Sequence, residues 1–303
     1  FILQPLIEGV LRGMMRFKLI GVLQTGSSLL FFSAIVVGAK MHGYNGAVIG
    51  MLSYYSLYAL ISIPFILKPI RLQNDREAIS GILANRSVVG KMILPIFIMS
   101  FVEAPMFWFA QLLLIHFGDM SAIGGVTAIT QIRNLAILIP SYFFSTYLAY
   151  ASRLNVDKQY EAYFSQFKKL QFCFIAAGVA VALLLTLAGN PVLNLYGSSY
   201  TSNYTQLVIA NIGIPFLLLS GLLRIDLIIQ EHQRQLLFIS VGWNLLWGVV
   251  LISLLMLGVH SLTAFFASQL LAFVFQYLLI YLFFRKDRKK LLRSYEDCDS
   301  IDR

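Results

Sequence analysis

The sequence predicts an all-α polytopic membrane protein, and three observations carry that prediction. Hydrophobic residues make up 58% of the chain and charged residues only 12%, a balance far from that of a soluble domain. Apolar runs of roughly 20 residues, enough to cross about 30 Å of hydrocarbon, recur along the chain. Basic residues are confined almost wholly to alternate connections between those runs, the pattern that orients helices in a membrane.

The runs are 19–38, 46–67, 92–116, 123–150, 171–190, 205–229, 236–257 and 263–284, which gives about eight transmembrane helices. The first follows "GVLRGMMRFK", and the short "AKMHGYN" joins it to the second, which opens on "GAVIG". Both five-residue glycine patterns let helices approach closely and are read as packing. The polar stretch "RLQNDREAISGILANRS" then separates the first two runs from the other six. It divides the chain into 1–68, the end of one lobe; 69–91, a linker; 92–284, a complete six-helix lobe; and 285–303, a basic tail. Within the second lobe, "FGDMSAIG", "NPVLNLYGSSYTSNYT" and "GVHSL" are short, nearly uncharged turns, too small to hold an extramembrane catalytic domain. "QYEAYFSQFKKLQF" carries Tyr160, Tyr163, Phe164 and Phe167 at helical spacing. It reads as an interfacial helix whose aromatic face sits in the headgroup layer while Lys168 and Lys169 meet anionic lipid.

Net charge +9 would suggest a nucleic-acid partner in a soluble protein, but 20 of the 23 basic residues fall on one face of the predicted bundle. The opposite face holds Lys40 alone, and Arg133 and Arg224 lie within runs. The charge is therefore topological. Both ends are expected in the cytoplasm, with lipid bilayer as partner and no nucleic acid. The two cysteines, Cys173 and Cys298, have no metal or redox spacing. The chain opens on Phe1 in text that reads as mid-protein, so it is expected to lack its natural N-terminus.

Motifs of nucleotide hydrolysis, zinc catalysis and serine hydrolysis are missing, and the four histidines are scattered. An enzymatic role, a cofactor and a metal are not expected. What remains are charges in apolar runs: Glu103, Arg133, Arg224 and Asp226. A charge at the bilayer centre costs roughly 3 kcal/mol on insertion scales, so it faces a bundle interior or an aqueous cavity. Arg224 and Asp226 lie near the cytoplasmic end of their run, where snorkelling to water favours a role as interfacial anchors. Glu103 and Arg133 come near mid-depth on consecutive antiparallel helices. They are expected to form an ion pair or share a cavity, either to fix helix register or to hold a substrate or coupling ion. Pro105 and Pro140 loosen the backbone nearby, and Gln131 and Asn134 add amides beside Arg133. An Arg among amides suits a phosphate or pyrophosphate.

The stretch "VGKMILPIFIMSFVEAPMFWFAQLLLIHFGDMSAIGGVTAITQIRNLAILIPSYF" resembles the seventh and eighth spans of the polysaccharide-transporter branch, the O-antigen flippase type, of the multidrug/oligosaccharidyl-lipid/polysaccharide (MOP) exporter superfamily. "GVLRGMMRFKLIG" resembles the opening of that family's fifth span, and "NLYGSSY" the turn between its ninth and tenth. The resemblance implies a MATE-like fold of two six-helix lobes, of which this chain holds the last two helices of the first and all of the second. It also implies ion-coupled alternating access that moves an undecaprenyl-pyrophosphate-linked oligosaccharide across a bacterial inner membrane, with a polysaccharide polymerase as candidate partner. On that reading Arg133 binds the pyrophosphate or a sugar acid, Gln131 and Asn134 contact sugar hydroxyls, and Glu103, with Asp226 second, is the coupling carboxylate. A multidrug or cation antiporter, a lipid II flippase and a non-transporting scaffold are the alternatives. The first would favour a carboxylate-dominated cavity over one bearing Arg133.

Overall fold

The structure, a computed structural model, describes residues 11, 17–72, 90, 94–118 and 120–301. Among these residues the chain forms nine α-helices and one 3-10 helix and no strand. It separates into two compact units, Phe1–Asn85 and Arg86–Arg303. Most of the predicted linker 69–91, and the "GVLRG" pattern apart from Leu11, lie outside the described residues.

In the first unit, α1 (Phe17–Leu72) is two helical arms folded at His42 and Gly43. Gly43 has φ +57° and ψ −138°, a combination that a side chain rarely tolerates. The arms pack back on each other through small residues. A Cβ on Gly46 would run into the carbonyl of Gly38, and one on Gly50 into the carbonyl of Ala34. Farther from the fold, Tyr54 packs edge-on against Phe31 at 4.6 Å and its hydroxyl reaches Ser27 Oγ at 3.4 Å.

The second unit is an antiparallel bundle. Its helices are α2 (Leu94–Phe117), α3 (Met120–Val156), α4 (Tyr160–Leu187), α5 (Gly189–Tyr196), then after the 3-10 helix Ser198–Asn203, α6 (Tyr204–Ile212), α7 (Ile214–Ile229), α8 (Gln233–Met256) and α9 (Ser261–Ile301). α8 packs on α2 and α9, while α7 packs on α3, α4 and α9. α3 is bent by 41° between 120–138 and 142–156, where Pro140 removes a backbone donor. α6 and α7 meet at Gly213, whose backbone stays helical, with Pro215 in the first turn of α7, so the predicted run persists as one span with an interrupted hydrogen-bond ladder. Among the described residues, six helices are long and apolar enough to cross a membrane, and the bent α3 makes seven if it is one span. The first two predicted runs fall on the two arms of α1, which together make one of these spans. The basic tail continues α9 as helix to Ile301.

Two buried clusters organise this unit. One, toward the α3–α4 turn, joins Tyr147, Tyr163, Phe167, Leu222, Ile225 and Phe284. The other, toward the α2–α3 turn, joins Leu114, Ile129, Trp243, Trp247, Phe265 and Phe273. The first corrects the interfacial-helix expectation. Residues 160–172 are not a separate helix on the membrane surface but the opening turns of α4. Tyr163, Phe164 and Phe167 are buried, and Phe167 stacks on Phe284 at 4.8 Å. A helical aromatic stripe fits a headgroup layer and a protein core equally well; here α9 supplies the core.

Candidate functional site

Arg133 is the buried cation of the second unit among the described residues. It lies roughly 20 Å along α3 from Met120 at about 1.5 Å rise per residue, on a face that also buries Val126 and Ile129. Its side chain turns inward to α9, where Nη1 donates to Gln269 Oε1 at 2.6 Å. The guanidinium lies over the ring of Phe273, 5.4 Å from its centroid, within the range of cation–π attraction. Phe273 is in turn 6.0 Å from Trp243, which stacks on Trp247 at 6.2 Å. Burial leaves Arg133 6% exposed, and its Nε has no hydrogen-bond partner. The indole nitrogens of Trp243 and Trp247 and the amide oxygen of Asn244 are likewise buried without partners. A cation with an amide and a ring for neighbours, and no acidic partner among the described residues, is an uncompensated positive charge.

The structure does not pair Glu103 with Arg133. Glu103 on α2 instead meets Arg224 on α7 at 3.5 Å and accepts a hydrogen bond from Ser240 Oγ on α8 at 2.9 Å. Its carboxylate therefore bridges three helices, with both members of the ion pair about one-third exposed. The expectation failed because matching depth on neighbouring helices fixes height and not azimuth. Arg133 faces α9, and Glu103 faces α7 and α8.

Asp226 is also placed differently from expectation. It is fully buried, not an anchor snorkelling to the surface. The Tyr163 hydroxyl donates to Oδ1, and Gln230 Nε2 donates to Oδ2 at 2.8 Å. A short Asp side chain cannot reach out as Lys or Arg can, so burial required donors from α4 and α7. The same cluster holds the Tyr147 hydroxyl, buried with no hydrogen-bond partner.

Gln131 and Asn134 do not gather around Arg133. Both are exposed while Arg133 is buried, since residues one and two apart on a helix point to different faces. The residues that do gather, Gln269, Phe273 and Trp243, lie on α8 and α9. Neutral polar residues in apolar runs were the missed signal: Gln269, Gln276, Asn244 and Asn211 are all buried. No group of His, Cys, Asp and Glu among the described residues could hold a metal ion.

No protein-family model matches the chain, and no curated protein matches it. Among solved structures, a crystal structure of a mutant of the Vibrio cholerae MATE transporter VcmN is similar, with a TM-score of 0.76 at 16% identity. The likeness covers 94% of this chain and 65% of that one. The class of protein follows: a multi-pass, all-helical membrane protein of MATE-like fold. The chain spans about two-thirds of the length of the transporter it resembles.

Proposed function

We propose that this chain is the larger part of a MOP-superfamily transporter that flips a lipid-linked oligosaccharide, the undecaprenyl-pyrophosphate-borne repeat unit of a surface polysaccharide, across the bacterial inner membrane. The observation that carries this reading is Arg133, a buried guanidinium with an unpartnered Nε and no acidic neighbour among the described residues. An uncompensated buried cation favours arrival of an anion and opposes arrival of another cation. A planar guanidinium fork suits the oxygens of a pyrophosphate. Gln131 and Asn134 are exposed amides on the same stretch of α3. Amides are costly against hydrocarbon, so they are assigned to a polar passage where sugar hydroxyls replace water. Glu103 and Asp226 are the candidate coupling carboxylates in an alternating-access cycle, with both ends of the chain cytoplasmic.

A second reading, an antiporter of organic cations, is favoured by Glu103, whose carboxylate is partly exposed and bound only to Arg224 and Ser240 among the described residues. The likeness to a MATE transporter is compatible with both.

The test uses the full-length gene in a bacterium deleted for its own flippase. Arg133→Ala should abolish surface polysaccharide and accumulate lipid-linked repeat units at unchanged membrane abundance. Arg133→Lys, which keeps charge but loses the fork, should retain partial export. Loss of about 1.5–3 kcal/mol of charge-assisted hydrogen bonding corresponds to a roughly 10- to 150-fold fall in rate. Failure of the wild-type gene to restore surface polysaccharide, with a change only in drug tolerance, would move the assignment to the antiporter, and full export by Arg133→Ala would take Arg133 out of the site.

A further inference from the structure

A cavity of about 800 Å³ opens at the turn-bearing, basic-poor end of the second unit, within the ~300–1,000 Å³ range of ligand pockets. Arg133 does not line it. Its walls come from three connections: the α2–α3 turn, the 3-10 helix, and the α8–α9 turn. Ser121, Ser199, Tyr200, Ser202, Asn203 and His260 are among its lining residues. No Asp, Glu, Lys or Arg lines it among the described residues; Asp119, in the α2–α3 turn, lies outside them.

The wall is built, not incidental. The Tyr200 hydroxyl rests over bare backbone at Gly124, where a Cβ would come within 2.9 Å of it. The loop is set by Gly197 at φ +130° and braced by hydrogen bonds from Thr201 Oγ1 to the Ser198 carbonyl at 2.7 Å and from Ser202 Oγ to the Ser199 carbonyl at 2.9 Å. Tyr196 packs edge-on against Tyr200 at 6.4 Å. Within this frame Tyr200, Asn203 and Ser261 make no side-chain hydrogen bond to another described residue. Their hydroxyls and amide can both donate and accept. Hydroxyls, one amide, the His260 imidazole and the Tyr200 phenol alternate with Phe117, Met120, Leu255 and Leu262, a wall that fits a ligand with many hydroxyls and apolar ring faces. A phosphate finds no guanidinium or ammonium among these described residues, and an organic cation no carboxylate.

We infer that this cavity is a second site, free of Asp, Glu, Lys and Arg among the described residues, that binds a sugar of the substrate as it emerges on the non-cytoplasmic face, separate from the Arg133 site. The identity of that sugar-bearing ligand rests on the flippase reading. Headgroup and sugar are thereby divided between two sites in one lobe, with Arg133 taking charge and the outer cavity taking hydroxyls.

The experiment places a reporter thiol at Ser199→Cys, an exposed lining position, in the full-length protein with Cys173→Ser and Cys298→Ser. Labelling by a membrane-impermeant maleimide is followed in spheroplasts with galactose, N-acetylglucosamine or maltotriose added at tens of millimolar. At least one sugar should slow labelling threefold or more, while sodium phosphate and tetraethylammonium leave it unchanged. Asn203→Leu should abolish the protection while the unprotected labelling rate stays that of the parent, which shows the loop still folded. No protection by any of the three sugars, or equal protection by phosphate or the cation, overturns the inference. The two readings fail separately. If Arg133→Ala abolishes polysaccharide yet no sugar protects the thiol, only the outer site falls. If a sugar protects the thiol while the wild-type gene fails to restore polysaccharide in the flippase-deleted host, the flippase falls and the sugar site stands.

Discussion

Arg133 shows how far single residues can be interpreted from sequence. That a guanidinium in an apolar run must find polar surroundings was legible, because hydrocarbon cannot solvate it. What it found was not legible, because Gln269 lies 136 residues away in the chain and a neutral amide leaves no charge signal to match. Glu103 follows the same logic: its partner Arg224 was visible as a charge but had been assigned to the surface. Asp226 offers the sharper test at this scale. Tyr163→Phe removes a buried donor to the carboxylate, a change that costs about 1–3 kcal/mol. The melting temperature of the purified protein should fall by several degrees, at the roughly 2–4 °C per kcal/mol of a domain this size. Asp226→Asn keeps the shape but removes the titrating group. If Asp226 couples ion movement to transport, polysaccharide export should fall at least tenfold at normal membrane abundance. Unchanged export in Asp226→Asn would leave Asp226 a structural acceptor for Tyr163 and Gln230.

Element by element, punctuation by Pro and Gly was readable and lateral packing was not. Pro140 bends α3, and the interrupted ladder at Gly213 precedes Pro215, as backbone chemistry requires. By contrast, the aromatic stripe of 160–167 has the spacing of a lipid-facing helix, and only the presence of Phe284 on α9 decides that it faces protein. In α1 the "GAVIG" pattern signalled close approach, but its counterpart, Ala34 and Gly38, has no such label in the sequence. The pairing predicts a steep size dependence. Gly46→Leu drives a side chain into the opposite backbone, and overpacking of this kind costs about 1–3 kcal/mol. Gly21→Ala, with nothing within 4 Å of the new carbon, should be neutral. Thermal unfolding of the two purified variants decides the matter: equal stability would mean that the arms do not pack through these residues.

For the whole molecule, orientation is the property that sequence expresses most directly, because insertion responds to Lys and Arg in short connections and not to tertiary contacts. The 20 basic residues of one face therefore constrain both ends of the chain, while helix packing inside each unit is free to bury Arg133 or Asp226 wherever partners exist. Shared fold at 16% identity agrees with that separation: apolar length and charge bias suffice to specify the bundle, and the chemistry of its interior can vary. The orientation has a direct test in a cysteine-free background. Lys40→Cys should react with impermeant maleimide in intact spheroplasts, whereas Asp157→Cys, at the α3–α4 turn, should react only after permeabilisation. The inverse pattern would put the hydroxyl-lined cavity on the cytoplasmic side. Such a cavity would meet a substrate before translocation, so its sugar preference would select what enters and not assist what leaves.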